Sequence, residues 1–169
     1  MKMENKMATI EVSIKELGPM RMVSFHGFGA EPEGIAFAAM FEWAEKNYYF
    51  QMNSTRCFGF NNPDPTPGSS NYGYEVWLSI PEGMTVEDKP IKSFKGGFYA
   101  VANCSGPIEA GGTFIPAAWK ALVEWMENSP YQMGKHQWLE EHKSVEGLSL
   151  PQMNAQGKLN LDLYLPIIK

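Results

Sequence analysis

FAAMFEWAEK at 37–46 and WKALVEWMEN at 119–128 run through large, small and charged residues in the same order. Set Phe37 against Trp119, an offset of 82 (119 − 37). Met40 then falls on Leu122, Phe41 on Val123, Glu42 on Glu124, Trp43 on Trp125 and Glu45 on Glu127. The apolar members recur at i, i+3, i+4 and i+7, one stripe of an amphipathic helix, and Glu42 and Glu124 are expected on its solvated side. Two unrelated helices could share such a stripe. The repetition of their flanks argues for a duplication.

Upstream of the helices lie MVSFHGFG (22–29) and YAVANCSG (99–106), each a β-like run reaching a glycine. Downstream lie RCFGFNNPDP (56–65) and QWLEEHKS (137–144), then YEVWLSIP (74–81) and LDLYLPII (161–168). In the last pair Val76, Leu78 and Ile80 alternate with Glu75, Trp77 and Ser79, as Leu163, Leu165 and Ile167 alternate with Asp162, Tyr164 and Pro166; this is the period of two of strands. Each half reads β-α-β-β, with a first strand near ATIEVSIKEL (8–17) and TVEDKPIK (85–92) as connector. The expected fold is α+β: tandem units of about 7–83 and 91–168 in one domain, related by a pseudo-twofold axis. Two helix-covered sheets would enclose a central cleft between their other faces, with the helices outside. The polar, proline-rich NNPDPTPGSSN (61–71) and the aperiodic 143–160 are expected loops that either border a site or are plain surface.

Composition narrows the functions open to such a domain. At 169 residues, 44% of them hydrophobic, the chain can fill one sizeable core. A net charge of −5 without clustered Lys and Arg argues against a nucleic-acid partner. Cys57 and Cys104 are too isolated for a disulfide scaffold or a zinc site, and His26, His136 and His142 have no partners at metal spacing, so neither a metal nor a cofactor is expected. Glu4 and Asn5 stand where a signal peptide needs an apolar run, and no stretch approaches the about 20 apolar residues of a membrane span. A cytoplasmic protein is expected.

FGFNNPDP (58–65), YGYEVWLSIPEG (72–83), GGFYAV (96–101), WKALVEWMENS (119–129), Leu139-Glu140 and LDLYLPI (161–167) together resemble the GyrI-like small-molecule-binding family, whose domain is also the effector-binding module of AraC-type and MerR-type multidrug regulators. The resemblance spans roughly residues 7–168, which leaves no room for the helix-turn-helix domain of those regulators and implies a stand-alone form. It further implies an aromatic-lined cleft between the halves with a buried carboxylate that attracts cationic, lipophilic compounds. The matching position is Glu140.

Strand parity reaches the same residue. If Leu139 joins the helix-covered face, Trp138, Glu140 and His142 point into the cleft, and the equivalent position in the first half is Gly59 (140 − 81), which offers no side chain. Trp77, Tyr164 and Trp138 are expected on inward faces, with Tyr72 and Tyr74 near the entrance to their strand; core packing is the alternative for each aromatic. Packing is the better reading of Trp43 and Trp125. Glu75 and Asp162 occupy matching positions and either add negative potential to the cleft or sit at solvated strand ends. The principal expectation is binding of hydrophobic, cationic small molecules. A second is hydrolysis of strained alkylating compounds, which the resemblance also implies, with Glu140 positioning a water. A third is modulation of DNA gyrase by contact; a homodimer or other protein partner stays open.

Overall fold

The computed structural model describes residues 10–47, 55–144 and 155–169. The expectations placed on residues 1–9 and on most of the 143–160 loop therefore lie outside the described residues. Among the described residues nine strands and two α-helices follow the order β1 (Ser13–Leu17), β2 (Met20–Gly29), α1 (Pro32–Lys46), β3 (Cys57–Asn61), β4 (Tyr72–Ile80), β5 (Ile91–Phe94), β6 (Gly97–Pro107), α2 (Gly111–Glu127), β7 (Gln132–Met133), β8 (Leu139–His142) and β9 (Lys158–Ile168), with a 3-10 turn at Ile108–Ala110 leading into α2. Both β-α-β-β units are present, as β2-α1-β3-β4 and β6-α2-β8-β9.

The two repeated stretches form the helices. Pro32 opens α1 where its missing N–H costs nothing, and Glu33 in the first turn and Lys46 in the last complement the helix dipole. Both helices stop at an asparagine whose side-chain amide donates back to a carbonyl four residues earlier, Asn47 to Trp43 and Asn128 to Glu124, at 2.8 Å each. The aligned stripe faces inward: Met40 and Leu122 are both fully buried, Met40 in one core cluster under α1 and Leu122 in another under α2. Each such side chain contributes about 1.5–3 kcal/mol of burial.

The strands pair antiparallel in one sheet of order β1-β6-β9-β8-β3-β4-β2-β5, with β7 against the end of β9. The halves join edge to edge at β3 and β8, where Cys57 pairs with His142, Phe58 with Glu141 and Gly59 with Glu140. The pseudo-twofold axis passes through this last pair, because Gly59 and Glu140 are equivalent in the repeat and here face each other. The outer strands are exchanged: β1, preceding the first unit, pairs with β6 of the second, and β5, preceding the second, pairs with β2 of the first.

Exchange curls the sheet. Only Gly18 and Pro19 separate β1 from β2, and only Lys95 and Gly96 separate β5 from β6, although the members of each pair stand at opposite ends of the strand order. The two ends must therefore come round to meet where Leu17 pairs with Gly97 and Met20 with Phe94. Gly96 makes the crossing with φ +80°, and a Cβ there would lie 2.1 Å from the Leu17 carbonyl oxygen.

Residues paired in register share a face, so the ladder Phe25–Val76–Gly59–Glu140–Leu163–Ala102 lies on one side of the whole sheet. Its members Phe25 and Val76 belong to the core under α1, Leu163 and Ala102 to the core under α2. Both helices therefore cover one, outer face. The inner face holds a third core of Leu17, Met22, Phe58, Phe94, Tyr99, Leu139 and Tyr164, among others, with edge strands β1 and β5 represented alongside the central ones.

This corrects the expected arrangement in one respect. The α+β class, the duplication and the outside helices stand, but the halves form one curled sheet, and a hydrophobic core lies between their helix-free faces. Phe58, Tyr99 and Leu139 there are fully buried.

Candidate functional site

α1 packs on β2 and β4, and α2 on β6 and β9. The central strands β3 and β8 lie between the helices and form the floor of a groove on the outer face. Strand alternation puts Glu140 and His142 of β8 on this floor, with Leu139 and Glu141 on the inner face. The expected parity is thus reversed for β8. Leu139 is apolar and buried, but a central strand of a curled sheet is buried on both faces, so an apolar residue does not mark the helix side.

Glu140 is half-buried and held by two neutral donors: Tyr74 Oη donates to Oε1 at 2.8 Å and Trp119 Nε1 to Oε2 at 2.9 Å. Burial raises its pKa above the ordinary carboxylate value; the two hydrogen bonds pull it down only in part, and the charge of Glu33 pushes it further up. Tyr74 Oη also lies 2.9 Å from His142 Nε2. Burial holds His142 neutral, with a pKa lowered to about 3, and raises Tyr74 well above the phenol range.

Aromatic rings wall the groove. Phe37 of α1 meets His142 edge-on at 4.6 Å and stacks beside Tyr74 at 6.3 Å. On the other wall Trp119 of α2 lies 5.4 Å from Trp138, which is 37% exposed at the rim. Tyr72 Oη donates to Glu33 in the first turn of α1. Two surface hollows lie along the 82–88 connection, one against Arg21 and one against Trp43, and neither touches Glu140. The groove is occupied by its own rings.

The residues expected at the site separate by face. Glu140, Gly59, Tyr74, Tyr72 and Trp138 come together on the outer face. Trp77, Tyr164, Glu75 and Asp162 belong to the inner face and are not brought to Glu140. Trp77 packs between Phe60 at 4.8 Å and Phe94 at 5.6 Å and donates to Glu75. Tyr164 donates to Glu141 at 2.7 Å and lies 5.4 Å from Tyr99. Glu75 and Asp162 neither face the groove nor sit at solvated ends: both are buried, with Lys92 at 2.9 Å and Lys143 at 3.0 Å. Burial would raise Glu75, but the bonds from Lys92 and Trp77 hold it below the usual range.

Phe37, Trp119 and Glu33 were not among the expected site residues. A signal for two of them existed, since Phe37 and Trp119 are the aligned first positions of the repeated helices and now form the two facing walls. Trp43 and Trp125 pack as expected, Trp43 against Phe25 at 5.8 Å and Trp125 against Tyr131 at 6.2 Å. His26 and His136 donate to the carbonyls of Asn62 and Phe98. Among the described residues no three His, Cys, Asp or Glu side chains cluster to hold a metal, and no helix is long and apolar enough to cross a membrane.

The fold has solved counterparts. The C-terminal domain of EcmrR superposes with a TM-score of 0.63 at 11% identity, covering 95% of this chain and 98% of that one. A hydrolase from Listeria innocua gives 0.61 at 13% identity, covering 95% and 93%. SAV2435 bound to tetraphenylphosphonium gives 0.55 at 9% identity, covering 94% of each. At these identities the likeness is one of fold. No curated protein sequence matches. The family model of Cass2, described as integron-associated effector binding protein, matches residues 13–167, from the first residue of β1 to the last but one of β9. The chain belongs to the Cass2 family of effector-binding proteins and has their GyrI-like fold.

Proposed function

We propose that this chain binds hydrophobic, cationic small molecules in the groove between α1 and α2, with Glu140 as counter-charge. One observation carries this reading. The buried carboxylates of the inner face each have a cation of their own, Glu75 with Lys92, Glu141 with Arg56 and Asp162 with Lys143. Glu140 has none among the described residues; its partners are a phenol and an indole. A half-buried carboxylate bonded only to neutral donors is short of a positive charge, which a ligand can bring.

The walls suit such a ligand. Phe37, Trp119, Trp138 and Tyr72 present ring faces worth about 0.5–2 kcal/mol each against a cation, depending on how dry the contact is. Trp138, exposed at the rim, is the ring whose displacement opens the groove. The tetraphenylphosphonium on SAV2435 is a lipophilic cation held by the same fold. The acidic chain acts as a single binding module, each half supplying one wall, without a nucleic-acid partner.

The test is titration with tetraphenylphosphonium beside neutral triphenylphosphine oxide, followed by tryptophan fluorescence. Glu140→Gln is expected to weaken the cation by about 1.5–3 kcal/mol, the worth of a hydrogen-bonded charge, and to spare the neutral compound. Equal losses for both would remove Glu140 from the role of counter-charge.

A second reading, hydrolysis of a strained electrophilic ring, is favoured by the contiguous Glu140–Tyr74–His142 contacts, through which a proton could pass while water attacks. The neighbour from Listeria innocua is described as a hydrolase. Recovery of a cyclopropane-bearing alkylator unchanged after prolonged incubation would eliminate this reading.

A further inference from the structure

The contacts around Glu140 contain fewer protons than hydrogen-bonding positions. Tyr74 Oη lies between Glu140 Oε1 at 2.8 Å and His142 Nε2 at 2.9 Å and has one proton to give. When Glu140 is a carboxylate, Tyr74 must donate to it, and neutral His142 must carry its proton on Nε2 and donate to Tyr74. When Glu140 is a carboxylic acid protonated on Oε1, it donates to Tyr74, Tyr74 donates to His142, and the histidine must hold its proton on Nδ1. The two arrangements use the same heavy atoms and differ in one proton and one tautomer.

We propose that a cation entering the groove displaces a proton from Glu140, and that His142, acting through Tyr74, is the positioning residue that turns the Tyr74 hydroxyl toward the carboxylate as it forms. This rests on the reading of the groove as a cation site. The step balances simply: carboxylic acid and cationic ligand give carboxylate–cation pair and one proton, which passes to solvent.

The groups facing Glu140 fit this coupling. From α2 comes the Trp119 indole, a donor that cannot titrate. From α1 comes Glu33, whose negative charge opposes ionisation of Glu140. From β4 come Tyr74 and, beyond it, Tyr72 on Glu33. From β6 comes Cys104, its pKa raised to about 11 by burial and by the charge of Glu140, and from β3 comes Cys57, beside His142 and Tyr74 and likewise raised by burial. His142 is kept neutral by burial, so it can change tautomer without taking on charge. Among the described residues no lysine or arginine bonds Glu140, so without a cation the balance is shifted towards the acid, and an arriving cation shifts it towards the carboxylate.

The experiment is calorimetric titration of the intact chain with tetraphenylphosphonium in two buffers of different ionisation heat, across a pH series, beside triphenylphosphine oxide. Release of up to one proton per cation is expected, with affinity rising up to tenfold per pH unit until Glu140 is ionised in the free protein, then levelling. The neutral compound should show neither effect. Tyr74→Phe and His142→Phe should move the break in the profile to higher pH, and His142→Gln, whose amide can still donate, should move it less. Glu140→Gln should abolish both proton release and slope. Cation binding that is independent of pH and of buffer overturns this inference and leaves the binding site standing. Failure of the unmodified chain to bind the cation at all overturns the reading of the site and this inference with it. Should a variant not fold, the two-buffer measurement on the unmodified chain still decides.

Discussion

Gly59 and Glu140 face each other across the β3–β8 ladder, and the side chain that Gly59 lacks is the space taken by the Tyr74 hydroxyl: a Cβ on Gly59 would lie 2.1 Å from Tyr74 Oη. The duplication thus places an acid on one side of its axis and a vacancy on the other, and the vacancy admits the phenol that holds the acid.

Gly59→Ala tests that relationship. Tyr74 is buried and cannot swing aside cheaply, so overpacking is expected to cost about 1–3 kcal/mol in urea denaturation and to weaken cation binding with it. An alanine accepted without loss of stability or binding would show that Tyr74 has another place to go.

His142 carries a pH dependence of stability. Its folded pKa of about 3 lies below the ordinary value of 6.5, so the stability it gains by staying neutral is present above pH 6.5 and is lost as pH falls towards 3. The slope from this one group is up to about 1.4 kcal/mol per pH unit. Denaturant midpoints measured from pH 7 to pH 4 should fall less steeply in His142→Gln than in the unmodified chain. Glu140 has the opposite sign: its raised pKa gives stability that is full below the ordinary carboxylate value near 4.5 and declines as pH rises through the raised one.

Arg56 and Glu141 anchor the inner face. The guanidinium bonds both carboxylate oxygens, at 2.8 and 2.9 Å, with Glu141 buried and the Arg56 side chain 39% exposed. Arg56→Ala strands a buried charge and is expected to cost about 2–3 kcal/mol, less than the 3–5 kcal/mol of a fully buried pair because water reaches the arginine. Lys46→Ala, which breaks the exposed Glu42–Lys46 pair, should cost under about 0.5 kcal/mol. Similar losses from the two variants would contradict this assignment of burial.

Trp77 and Trp138 should part company. Trp77→Ala removes a ring packed on Phe60 and Phe94 and is expected to lower stability by about 3–5 kcal/mol without touching cation affinity. Trp138→Ala removes a rim residue and should do the reverse, a small change in melting temperature with a clear loss of binding. Comparing the two in one thermal-shift titration checks both placements.

The duplication was legible because it is a local pattern. The stripe of Phe37, Met40, Phe41 and Ala44 and its copy at Trp119, Leu122, Val123 and Met126 are set by the helical period, and β4 and β9 announce themselves by alternation. Glu140 was singled out by the family resemblance and by having Gly59 as its counterpart, whereas strand parity pointed it to the opposite face from the one it occupies. Trp77, Tyr164, Glu75 and Asp162 do lie on the helix-free face that their alternation implied, but Glu140 is not there with them, because Leu139 is buried on that face and so marked the wrong side of β8.

That choice belongs to long-range pairing. The exchange of β1 and β5 between the halves curls the sheet, and curling turns the helix-free face inward over a core of its own. Central strands are then largely buried on both sides, so hydrophobicity no longer distinguishes inside from out, and the seam at β3 and β8 is the part of the outer face that lies between the two helices. Residue order was enough for the two helices, the repeated β-α-β-β units and their duplication, but not for the short strands β5 and β7, whose few residues carry no period of their own. The surroundings of Glu140, with Trp119 and Tyr74 as its donors and no cation among the described residues, exist only once α2, 21 residues away in the same half, and β4, 66 residues away across the axis, are folded against β8.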